Sequence, residues 1–114
     1  MIFITGPLYA GKRAYIRAAL GLSEDELESL AVWDVQDVEP GTDLEALAEQ
    51  LATRKIVIAT EIGGGVVPMD ACQRARREAA GRLSCLLAER ADTVVRVCCG
   101  LPQLLKGEWP CASG

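Results

Sequence analysis

Four short apolar runs mark the chain: Ile2–Thr5, Leu30–Val35, Lys55–Thr60 and Thr93–Cys99. They are rich in Val and Ile and do not alternate cleanly with polar residues, the pattern of strands covered on both faces. Helical spacing fills the intervals. A first helix is predicted from about Lys12 to Leu20, and Ser23 caps a short turn containing Glu24, Asp25 and Glu26. A second helix follows Pro40-Gly41-Thr42, with Leu44, Leu47, Ala48 and Leu51 on one face. The longest runs from about Met69 to Ala91, with Pro68 before it and Asp70 as its N-cap. Its stripe of Cys72, Ala75, Ala79, Leu83, Leu86 and Leu87 is expected to face the sheet.

Strands alternating with helices predict one α/β domain, a mainly parallel sheet of about four strands flanked by helices and joined by right-handed crossovers. The domain is expected over residues 1–106, followed by an irregular tail over 107–114. In such a sheet ligands bind beyond the carboxyl ends of the strands. That edge should gather Gly6 to Arg13, Asp34, Glu61 to Val67, and Gly100 to Pro102.

Composition narrows the function classes. The chain has 114 residues and a net charge of −4, which argues against a dedicated nucleic-acid binder. Half of it is apolar but only 4% aromatic, so its core must be aliphatic. Charges, Gly or Pro interrupt every apolar run, excluding a membrane span, and the first strand lacks the basic start of a signal peptide. There is no histidine, which excludes Ser–His and Cys–His catalysis and any histidine-phosphate or histidine-nucleotide intermediate. The five cysteines, Cys72, Cys85, Cys98, Cys99 and Cys111, form no C-x-x-C pair; they are expected to be reduced, mostly buried thiols of a cytoplasmic protein.

The first strand feeds Gly6-Pro7-Leu8-Tyr9-Ala10-Gly11-Lys12-Arg13, a G-x-x-x-x-G-K loop followed at once by a helix. This is the order of a phosphate-binding loop: glycines let backbone N–H groups converge on an anion, and Lys12 reaches the outer phosphates. The domain is therefore expected to be P-loop NTPase-like. The Ser or Thr that normally follows the lysine and holds Mg²⁺ is here Arg13, whose guanidinium cannot ligate a metal but can clamp a phosphate. A phosphate clamp and catalysis are equally consistent with the loop. Trp33 is expected in the core rather than as a base-stacking platform. Arg74, Arg76, Arg77 and Arg82 meet either an anionic ligand, a neighbouring subunit or only solvent.

The third strand ends in Thr60-Glu61-Ile62-Gly63-Gly64-Gly65-Val66-Val67-Pro68. Three adjacent glycines permit close approach of a ligand, and Glu61 can polarise a hydroxyl or water or order a metal's water shell. This segment resembles the N-E-V-G-x-G-I-V-P motif of the adenosylcobinamide kinase/adenosylcobinamide-phosphate guanylyltransferases of cobalamin biosynthesis. Arg77-Glu78-Ala79-Ala80-Gly81-Arg82 is similar to that family's R-[DE]-x-x-G-R signature. Ala91-Asp92 to Gly100-Leu101 is similar to its closing A-D-x-V-x-x-V-x-x-G-[LI], and Lys106 to its basic end. The resemblance covers residues 1–17 and 56–106.

What the resemblance implies is a kinase half of that family. Gly6 to Arg13, including Leu8 and Tyr9, would hold ATP or GTP. Asp34 after Val32-Trp33 would hold Mg²⁺, directly or through water, as the family's strand-end aspartate. Lys12, Asp34 and Glu61 would be catalytic, with Glu61 orienting the aminopropanol hydroxyl of adenosylcobinamide. Gly63, Gly65, Arg77 and Arg82 would contact the corrinoid. Family members are longer between strands one and three, and that region carries the histidine that accepts GMP. Without it the guanylyltransferase step is not expected. The alternative is a non-catalytic paralogue that binds nucleotide or corrinoid and assembles with or regulates cobalamin enzymes. The resemblance also implies a homo-oligomer, a trimer, with clefts near subunit boundaries.

Overall fold

A computed structural model describes residues 1–7, 10–61 and 70–110. Its elements run β1 (Ile2–Thr5), α1 (Lys12–Leu20), α2 (Glu24–Leu30), β2 (Ala31–Val32), α3 (Leu44–Leu51), β3 (Ile56–Ile58), α4 (Ala71–Arg90), β4 (Thr93–Cys98) and β5 (Leu101–Lys106). The sheet order is β2-β3-β1-β4-β5. The first four of these strands are parallel, and β5 closes the sheet antiparallel to β4. This is the expected α/β architecture, with one strand more than the pattern of apolar runs predicts.

Alternation along each strand divides the core into two layers. Phe3, Val57 and Val94 pack with Ala48 of α3 and Ala79, Ala80, Leu83 and Leu87 of α4. Their strand neighbours Ile4, Ile56, Ile58, Val95 and Val97 pack on the other face with Ile16 of α1 and Leu27 of α2. Central β1 thus lies between β3 and β4, with helices on both faces, and its carboxyl end opens into the crevice where such folds bind ligands.

Helix ends follow local chemistry. Ser23 and Asp70 each form a capping box, with Glu26 and Gln73 respectively, and Asp43 caps α3. The predicted turn at Glu24–Glu26 extends to a seven-residue helix. At the far end of α4, Lys106 Nζ donates to the carbonyls of Ala88 and Glu89, both at 2.9 Å. A cation there satisfies terminal carbonyls and complements the helix dipole.

Three expectations need correction. The run Leu30–Val35 yields only the two-residue β2, because Asp34 enters the left-handed region at φ 54° and starts a turn closed by Asp37 N–H to its carbonyl. The fifth strand arises because Cys99 and Gly100, both at positive φ, form a two-residue hairpin turn. Pro102 within the run argues against a strand from sequence, but β5 is an edge and tolerates the missing N–H. The cysteines are not mostly buried: Cys72, Cys85 and Cys99 are exposed and Cys98 is half-buried. The stripe of α4 buries nothing before Ala79, so Cys72 faces solvent, while Cys99 lies in the hairpin turn. Cys111 lies outside the described residues.

Candidate functional site

The glycine–lysine loop leaves β1 at Gly6, which is buried at φ 149°, and a Cβ there would be driven into the Val97 carbonyl. Gly6 O accepts from Glu61 N–H at 2.8 Å, and Ala10 O accepts from Gly100 N–H at 2.8 Å. The loop is therefore tied to the ends of both neighbouring strands. Gly11 is the N-cap of α1 at φ 88° and offers no side-chain cap, whereas the other three helices have one. The uncapped N–H groups of the first turn are suited to an anion.

Lys12 is 9% exposed, and its ammonium donates to the carbonyls of Gly6 (3.1 Å) and Pro7 (2.8 Å). Burial lowers its pKa, opposed by the negative charges of Glu61 and Asp34. The lysine is thus held over the loop by carbonyls that an incoming phosphate can replace. Leu8 and Tyr9 lie outside the described residues.

Beside the loop is a cavity of about 240 Å³ lined by Ala10, Gly11, Lys12, Arg13, Trp33, Asp34, Ile58 and Thr60. Arg13 lies 4.6 Å above the Trp33 ring centroid and 3.7 Å from Glu28. Its guanidinium is held to the side by a cation–π contact and an exposed ion pair. Trp33 packs partly against the α1 face and also lines this cavity. Asp34 Oδ1 accepts from Gln36 Nε2 at 3.3 Å, and Gln36 Oε1 accepts from Thr60 N–H at 2.9 Å. Gln36 thereby links the two strand ends.

A second, larger depression lies on the α4 face. This groove, about 490 Å³, is lined by Phe3, Thr5, Thr60, Glu61, Arg77, Ala80, Gly81, Ser84, Cys85, Ala88, Val94 and Leu105. A bulge in β5 opposite Val94 and Val95 accompanies the placement of Leu105 there. The groove is apolar along β1, β4 and α4 and polar at the carboxyl edge. Its volume falls in the range of small-molecule sites, and Thr60 borders both it and the loop cavity.

At the polar end Arg96 of β4 grips Glu61 with two hydrogen bonds, Nε to Oε1 at 2.6 Å and Nη2 to Oε2 at 2.9 Å. This fork holds the Glu61 carboxyl below its ordinary range, chiefly through the hydrogen bonds, while burial works in the opposite direction.

Lys12, Asp34 and Glu61 therefore gather at one edge, as expected. Arg77 lines the groove; Arg82 is exposed and is not among its lining residues. Gly63 and Gly65 lie outside the described residues. Gln36, Thr5 and Arg96 escape sequence reasoning. Only Arg96 leaves a signal, a charge inside the apolar run Val94-Val95-Arg96-Val97. A metal fits through Asp34, the carboxylate lining the loop cavity, since Mg²⁺ commonly takes one or two protein carboxylates beside phosphate oxygens. Among the described residues no group of three or more His, Cys, Asp or Glu forms a metal cluster, and no helix is long and apolar enough to cross a membrane.

The family model for cobinamide kinase / cobinamide phosphate guanyltransferase matches residues 36–105, more than half of the chain. The chain belongs to this family. It is also 43% identical over 65 residues to the bifunctional adenosylcobalamin biosynthesis protein CobP of Pseudomonas aeruginosa. That match covers 57% of this chain but 37% of the relative, so it spans little more than a third of the longer protein. The groove residues from Thr60 to Leu105 fall within the family match, and the glycine–lysine loop precedes it.

Proposed function

We propose that the chain transfers the γ-phosphoryl group of a nucleoside triphosphate to the aminopropanol hydroxyl of adenosylcobinamide. The observation that carries this reading is the meeting of two cavities at Thr60, one with phosphate-binding chemistry and one with an apolar wall. In this reading the loop from Gly6 to Arg13 cradles the phosphates and Lys12 leaves its carbonyls to neutralise charge on the β/γ oxygens. Asp34 would hold Mg²⁺, which would screen the phosphate charge. The groove takes part of the corrinoid, with Arg77 at its rim, and Glu61 orients the acceptor hydroxyl. The 114 residues contain no histidine to carry GMP, so the reaction is phosphoryl transfer alone.

Calorimetric titration with ATP, GTP and their Mg²⁺ complexes, followed by transfer of labelled γ-phosphate to adenosylcobinamide, tests it. Binding with turnover is expected. Binding without turnover supports the second reading, a nucleotide- or corrinoid-binding paralogue that assembles with cobalamin enzymes. That reading draws on the lysine resting on its own loop and on Arg13 replacing a metal-binding hydroxyl.

A homo-oligomer, a trimer by family likeness, belongs to the same proposal. Edge strand β5 exposes Leu101 (72%) and Leu105 (53%), and Trp109 follows at 50%. Unpaired edges with exposed apolar side chains favour association. Light scattering during size exclusion, with reducing agent, is expected to give a multiple of the chain mass; one chain mass with and without nucleotide overturns it.

A further inference from the structure

Glu61, at the acceptor hydroxyl in the kinase reading, is a half-exposed carboxylate that must keep one orientation. Residue 96 lies on β4, in register with Thr5 of β1, and shares the sheet face of Val94 that floors the groove. From there its guanidinium reaches across to Glu61 in a two-point fork, with the side chains 36% and 35% exposed. A fork fixes both the plane and the direction of a carboxylate, whereas a single ammonium contact fixes neither.

We propose that Arg96 is the positioning residue for Glu61, holding it ionised at the junction of the loop cavity and the groove so that it orients a hydroxyl by accepting its hydrogen bond and does not take up its proton. This rests on the kinase reading for its catalytic consequence, though not for its structural one. In the transfer the acceptor oxygen forms a bond to the γ-phosphorus as the bond from that phosphorus to the β–γ bridging oxygen breaks. The nucleoside diphosphate leaves, and the hydroxyl proton passes to a phosphoryl oxygen and then to water. Glu61 stays charged throughout. Lys12 of α1 and Cys98 of β4 act on the pair, and Arg77 of α4 lines the same groove as Glu61; Asp34 after β2 faces Lys12.

The sign of the pH effect follows. A carboxyl held below its ordinary pKa is ionised above that lowered value and is protonated only as pH falls through it. The acid limb of turnover attributable to Glu61 should therefore lie below the usual carboxylate range. In Arg96→Met the fork is gone while burial remains, so the Glu61 titration should move up and the acid limb with it. Turnover near neutrality should drop about tenfold to a hundredfold through kcat, with KM for nucleotide unchanged. Arg96→Lys should keep Glu61 ionised but restore only part of kcat.

Carbon-detected NMR titration of Glu61, assigned with Glu61→Gln, reads the carboxyl without any turnover. An upward shift in Arg96→Met supports the proposal. An unmoved titration with an intact fold overturns it, as does unchanged kcat and pH profile in an active parent. A parent that shows no turnover removes the kinase reading, and the titration still decides whether Arg96 controls Glu61. If Arg96→Met does not fold, Arg96→Lys decides: a titration and kcat both equal to the parent's overturn the proposal.

Discussion

The two depressions at the carboxyl edge of the sheet are built by different means. The loop cavity is small, and its anion-facing side is largely backbone, with glycines, a helix start without a side-chain cap, and nearby carbonyls that hold Lys12, while Trp33, Asp34, Ile58 and Thr60 close the other side. The groove is twice as large and made by packing, where α4 joins α3 over Phe3, Val57 and Val94 and leaves β4 and β5 partly uncovered. Anion recognition needs converging N–H groups from consecutive residues, so it is local in sequence. An apolar groove needs walls from several elements, so it is not. Damage to one region should therefore be separable from damage to the other.

The sharpest break should come at Gly6, where a side chain has neither the backbone conformation nor the space. Gly6→Ala should cost about 3 kcal/mol or more of stability and abolish nucleotide binding. Urea denaturation and calorimetry measure both, and a stable, binding-competent variant would show the loop to be more pliable than its packing on Val97 implies.

Next in size is Lys12→Ala, which should weaken triphosphate binding by about 1.5–3 kcal/mol, the worth of a charged hydrogen bond. Corrinoid affinity should not change. Unchanged nucleotide affinity with an intact fold would take the loop out of the ligand site.

The groove has its own test at Gly81. This helical position lines the groove, and a Cβ there would meet nothing within 4 Å. Gly81→Ala should raise stability by about 0.5–1 kcal/mol from helix propensity alone. Gly81→Leu should keep a stable fold yet weaken adenosylcobinamide binding about tenfold, on the order of one lost apolar contact surface, with nucleotide binding intact. Tight corrinoid binding by the leucine variant would place that ligand elsewhere.

The smallest expected effect is at Arg13, held aside by Trp33 and Glu28. With no hydroxyl at this position, nucleotide affinity should depend little on Mg²⁺, and Arg13→Ser should increase that dependence several-fold. Strict Mg²⁺ dependence in the parent would assign the coordination to Asp34 alone.

Much of this molecule was legible before any coordinates. Strand and helix positions follow from apolar periodicity, α1 and the Asp70 cap from residues a few places apart, and the loop from glycine spacing. Each of these depends on interactions within one turn or one short run, and neighbouring residues determine them. Tertiary structure decided what depends on partners distant in the chain. Asp34 ended β2 early, Cys99-Gly100 folded β5 back along an edge that tolerates Pro102, and α4 began burying residues only at Ala79. The pairing of Arg96 with Glu61 across thirty-five positions belongs to the same class. Such contacts form only when parallel strands are brought into register, and a list of residues does not contain that register.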